Sequence, residues 1–146
     1  MQPRRPRMKI FTKSETRAEM ASLGEIMTKD VYSTTGETPV VTAAETMVKR
    51  RHGSAVVMEG GWLAGIFTER DVLRAAASGK DLHSTPVSEW MTRDPQTATA
   101  DMDSEEAAQI MVANGFRHLP VMEGNTVSGI VSLRDVLGAR IARSAR

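Results

Sequence analysis

The apolar positions of this chain run through the same rhythm twice. In the second half, Asp103-Ser104-Glu105-Glu106 puts acidic residues in the first turn of a helix, with Asp103 or Asp101 as candidate N-cap. Ala107, Ala108, Met111 and Val112 then form one apolar face at helical spacing, and Gly115 stops it. Leu119-Pro120-Val121-Met122 reads as a short apolar strand, Glu123-Gly124-Asn125 as a turn and Thr126 to Val131 as a second strand; Ser132 starts a helix through Leu137. The first half predicts a helix over about 40–51, strands over 55–58 and 62–67 around the turn Glu59-Gly60-Gly61, and a helix from Thr68 to about Ala77. Short extended pieces, Val31-Tyr32-Ser33-Thr34 and Gln96-Thr97-Ala98-Thr99, precede each set. The order of elements in each half is β-α-β-β-α.

The two halves align without a gap at an offset of 64 residues. Glu25-Ile26-Met27-Thr28-Lys29-Asp30 falls on Glu89-Trp90-Met91-Thr92-Arg93-Asp94, and Val57-Met58-Glu59-Gly60 on Val121-Met122-Glu123-Gly124. Arg70-Asp71-Val72-Leu73 falls on Arg134-Asp135-Val136-Leu137. Matched methionines (Met27/Met91, Met47/Met111, Met58/Met122) read as core packing. The expected division is an N-terminal arm over 1–21, repeats over 22–78 and 86–142, a connector over 79–85 and a tail over 143–146. A unit of about 55–60 residues does not bury both faces of its sheet alone, so the two are expected to pack sheet to sheet.

The length of 146 residues fits one domain, and 40% hydrophobic with 25% charged residues is a globular composition. No apolar run approaches 18 residues, which argues against a membrane span. The basic stretch from Met1 to Lys13 has no apolar segment behind it, which argues against a secretory signal. The absence of cysteine excludes disulfides, thiolate nucleophiles and thiolate-bound metals, and fits a reducing, cytoplasmic setting. Net charge is +1, made of +5 over residues 1–17, +3 over 134–146 and −7 between them. An acidic body with basic ends is not the even basic face of a nucleic-acid reader. Nucleic-acid binding through the arm is the weaker alternative, since the arm's cations are interleaved with a single aromatic, Phe11.

The candidate chemistry lies where the last strand of each half enters its helix. Thr68 and Ser132 stand at helix starts, where backbone N–H groups and a hydroxyl suit a phosphate. Asp71 and Asp135, one turn on, can accept both hydroxyls of a ribose. Gly65 and Gly129 allow close backbone approach. Thr/Ser-x-x-Asp is also a capping box, and a residue can cap its helix and still face a ligand. His52, His83 and His118 have no metal-ligand spacing, and no nucleophile–base pair is visible, so neither a metal site nor an enzyme is expected.

Gly65-Ile66-Phe67-Thr68-Glu69-Arg70-Asp71 and Gly129-Ile130-Val131-Ser132-Leu133-Arg134-Asp135 resemble the signature of cystathionine-β-synthase (CBS) domains. Ile26-Met27-Thr28 and Trp90-Met91-Thr92 resemble that family's opening motif, and Arg117-His118-Leu119-Pro120-Val121 its middle strand. The resemblance covers about residues 22–140. It implies an α+β module of two CBS repeats (a Bateman module) with pseudo-two-fold symmetry, binding adenosine-containing ligands in the clefts between repeats and forming a homodimer. It also implies a regulatory, energy-sensing role: AMP is the first expectation, with ADP, ATP, NAD and S-adenosylmethionine as alternatives, and an unidentified regulated protein as a further partner. The residues it assigns to binding are Thr68, Arg70, Asp71, Ser132, Arg134 and Asp135, with Val31, Ala55, Arg51, His52, Arg117 and His118. Arg51 and His52 stand two positions earlier than Arg117 and His118, so the two clefts are not equivalent. The expectation is one strong and one weak site, the strong one at Thr68 and Asp71.

Overall fold

A computed structural model describes residues 21–144. The basic arm, apart from Ala21, and the last two residues of the tail lie outside the described residues. The elements are α1 (Leu23–Ile26), β1 (Ser33–Thr34), α2 (Val40–Arg50), β2 (Ser54–Glu59), β3 (Trp62–Thr68), α3 (Glu69–Ala77), a 3-10 turn (Val87–Glu89), β4 (Thr92–Arg93), α4 (Ser104–Asn114), β5 (His118–Glu123), β6 (Thr126–Ser132) and α5 (Leu133–Ser144). The final helix runs past the expected end at Leu137, held along its length by ion pairs from Arg140 to Glu105 and from Arg143 to Glu25.

Strand alternation sorts the side chains between two layers. In the first copy Val57 and Phe67 join Val40, Ala43 and Met47 of α2 and Ala75 of α3 in one core. In the second, Leu119, Val121 and Val131 join Ala107, Met111 and Val136. Between the sheets, Val56 and Ile66 of one meet Ile130 of the other, with Val31, Met58, Leu63 and Val127 around them. This is an α+β architecture of two repeats packed sheet to sheet.

The unit of duplication is not the unit of packing. β1 runs parallel to β2, β3 is antiparallel to β2, and β4, from the start of the second copy, completes this sheet by pairing Thr92 with Ile66 and Arg93 with Gly65. The second sheet repeats the arrangement. Ala98 pairs in parallel with Val121, and Thr28, from the start of the first copy, bridges Ile130 on β6. The helical turns before these segments cross over too. Leu23 is fully buried in the second copy's core, Val87 is fully buried in the first's, and Met91 is buried beside it. The Met-Thr motifs therefore serve the opposite copy, which local patterning does not reveal.

Candidate functional site

A cleft of about 730 Å³ opens where the two copies meet. Its walls include Val31, Arg51, His52, Arg117, His118, Ser132, Arg134 and Asp135, so the fold brings together eight of the twelve residues singled out by sequence. Thr68, Arg70 and Asp71 are not among its walls, and Ala55 is buried at 1% exposure in β2. Arg117 and His118 thus share a cleft with Ser132 and Asp135, whereas sequence favours their serving Thr68 and Asp71.

At the second strand-to-helix corner the Ser132 amide donates to Asp135 Oδ2 at 2.8 Å, and the Asp135 amide donates to Ser132 Oγ at 3.0 Å. This is a reciprocal capping box, and it fixes the carboxylate's position. The Leu133 amide donates to the Arg117 carbonyl at 2.9 Å, so two first-turn amides are already engaged and side chains supply much of what a ligand meets. His118 stands opposite Ser132 in the β5–β6 ladder. Burial holds its pKa below the usual 6.5, opposed by the charges of Glu69 and Asp135 and reinforced by Arg117. Its ring lies against Gly53, where a Cβ would come within 3.0 Å of Nε2.

The opposite wall comes from the exchanged opening segment. Asp30 accepts from Arg50 Nη2 at 2.7 Å, and its second oxygen lies 3.6 Å from His52 Nε2, a buried nitrogen with no hydrogen-bond partner. Arg50 lies 5.4 Å from the Tyr32 ring centroid, which steadies the pair. Arg51 adopts a left-handed backbone (φ 57°) as the C-cap of α2; its counterpart in the second copy is Gly115 (φ 74°). An arginine in a conformation that favours glycine sits at the cleft wall, the kind of local strain that collects at binding sites. Val31, Met47, Val72 and Ile130 give the cleft an apolar side. Asp30, Tyr32 and Glu69 were not singled out by sequence; for Asp30 and Tyr32 the signal is their place just after the Met-Thr motif.

Among the described residues no group of three or more His, Asp or Glu side chains is arranged to hold a metal ion, and no helix is long and apolar enough to cross a membrane. The cleft instead combines guanidinium groups, the carboxylates of Asp30, Glu69 and the capped Asp135, and an apolar wall. Those features suit a ligand with an anionic end, a diol and a flat ring.

The CBS domain family profile matches twice, over residues 23–78 and 87–142. A CBS domain-containing protein of Bacillus subtilis, YhcV, is 36% identical over 118 residues, covering 80% of this chain and 84% of that one. The hexameric CBS-CP12 protein of bloom-forming cyanobacteria superposes with a TM-score of 0.77 at 28% identity, covering 82% of this chain and 71% of that one. The CBS domain pair of protein MJ0100, solved in complex with 5′-methylthioadenosine and S-adenosyl-L-methionine, gives a TM-score of 0.74 at 25% identity, covering 81% of this chain and 98% of that one. With both repeats matched and the sheet-to-sheet fold shared, the chain belongs to the CBS domain family, as a tandem pair of CBS domains.

Proposed function

We propose that the protein is a non-catalytic regulatory module that binds an adenosine-containing ligand in the cleft between its two CBS domains, with AMP the preferred one. The carrying observation is that a single cleft joins Asp135 to Arg51, Arg117 and Arg134 along one apolar side. A carboxylate fixed by its cap suits a ribose diol, and guanidinium groups suit phosphate. Arg51, Arg117 and Arg134 supply the guanidinium partners a phosphate ester would need, and of the other carboxylates at the cleft Asp30 is already engaged by Arg50. That MJ0100 was solved with adenosine ligands supports the class of compound. A thermal-shift panel of AMP, ADP, ATP, NAD and S-adenosylmethionine tests the reading. A compound at a hundred times its dissociation constant adds about 2.7 kcal/mol of stability. AMP is expected to stabilise most; no stabilisation by any of the five would overturn the proposal.

The signal would pass through contact with another protein or a second copy. Leu73, Leu137 and Ile141 on α3 and α5, with Val48 on α2 and Val112 on α4, are exposed large apolar residues. We read this surface as the contact of a homodimer.

A further inference from the structure

The two strand-to-helix corners share a motif, but their carboxylates are in different states. At the first corner Asp71 is 6% exposed. Its Oδ2 accepts from the Thr68 amide at 2.9 Å and the Thr68 hydroxyl at 3.2 Å, and its Oδ1 accepts from Arg74 Nη1 at 3.3 Å. Arg74 also lies 5.5 Å from the Trp90 ring centroid, so its guanidinium is held over the acid. At the second corner the residue in Arg74's place is Gly138, and the one in Trp90's place is Ile26. Asp135 gives Oδ2 to its capping bond, and Oδ1 has no hydrogen-bond donor among the described residues. A second contrast runs the same way. Arg70 reaches across to the Gly115 carbonyl at 3.4 Å, tying the first corner to the end of α4, whereas its counterpart Arg134 lines the open cleft.

We infer that each chain has one working nucleotide site, at Asp135, and that Arg74 silences the equivalent position at Asp71. The inference rests on the adenosine reading above and reverses the sequence-based preference for Thr68 and Asp71. A carboxylate oxygen with no protein donor is the readier acceptor for a ribose diol. Asp135 offers it; Asp71 would have to give up a guanidinium that is both paired and stacked. At the carboxylate itself the deciding exchange is arginine at 74 for glycine at 138, with Trp90 against Ile26 behind it.

A reciprocal substitution separates this from a merely structural asymmetry. Gly138 is exposed, and a Cβ there meets no atom within 4 Å, so Gly138→Arg is sterically free and replaces a poor helix former with a good one. Calorimetry with AMP, or with whichever of the five compounds binds wild type most tightly, is expected to give one site per chain. Gly138→Arg is expected to weaken that site about tenfold or more, a loss of about 1.4 kcal/mol per decade, without lowering the melting temperature. Arg74→Ala is expected to leave the affinity of the Asp135 site within about twofold and to add a second, weaker site at Asp71; no second site in that variant would overturn the silencing by Arg74. Two equivalent sites in wild type, or unchanged affinity in Gly138→Arg, would overturn the single-site inference while leaving the adenosine reading intact. Absence of binding by all five compounds to wild type overturns the adenosine reading itself, and this inference with it.

Discussion

His118 lies between Glu69 and Asp135, beside Arg117, and is partly buried. Because burial lowers its pKa, the unfolded chain takes up a proton near pH 6.5 that the folded chain refuses. This contribution to stability is complete above 6.5 and is lost as pH falls through the depressed folded value. Denaturation midpoints at about pH 8 and about pH 5.5 are expected to differ less for His118→Gln than for wild type. An equal difference in both would show that other groups carry the pH dependence. At this scale, the strand-to-helix pattern made Ser132 and Asp135 legible, and the resemblance to CBS domains added Arg117, His118, Arg51 and His52; all six are brought to the cleft. Which aspartate keeps an unpaired oxygen was not legible, because the deciding residues, Arg74 and Gly138, lie outside the repeated motif.

The long helices and strands were legible to within a residue or two except the last helix, which runs seven residues past Leu137, since periodicity is a local property and Gly115 and the turn glycines punctuate it. The exchange of opening segments was not, because alternation says which face of a strand is apolar but not which strand it joins. The seam of that exchange makes a prediction about two glycines. A Cβ at Gly65 would lie 2.7 Å from the Thr92 carbonyl oxygen and 2.8 Å from Met91 Sδ. The first of these is backbone fixed in the β3–β4 ladder and cannot turn aside. At Gly129 the closest atoms are Met27 Sδ and Cγ, which a flexible side chain can move, and the Thr28 carbonyl lies at 3.0 Å. Gly65→Ala is therefore expected to cost about 1–3 kcal/mol and Gly129→Ala less. Urea midpoints of the two variants would check the order, and a reversed order would show that the seam yields at β4.

For the whole molecule, the sheet-to-sheet arrangement was legible from the duplication, because neither copy alone can cover its sheet. The outer surface follows from it. Leu73 is 70% exposed, and Leu137 and Ile141 are 54% and 61% exposed. An isologous contact would cover this surface on both chains at once. Light scattering of wild type is expected to return twice 15.9 kDa, and Leu73→Asp combined with Leu137→Asp is expected to return 15.9 kDa with unchanged circular dichroism. A wild-type monomer at micromolar concentration would refute the homodimer. The crossed opening segments carry a different consequence. A chain with one copy alone would leave the edge of its second long strand unpaired and its own opening segment without a sheet to join, and two such chains could satisfy both by trading segments. The pair of repeats is in this sense a domain-swapped dimer written as one polypeptide. The residues joining the copies then act as a tether, replacing dependence on protein concentration with an effective concentration in the millimolar range or above. The cleft between the copies consequently stays assembled at any dilution, whether or not chains associate through their outer surface.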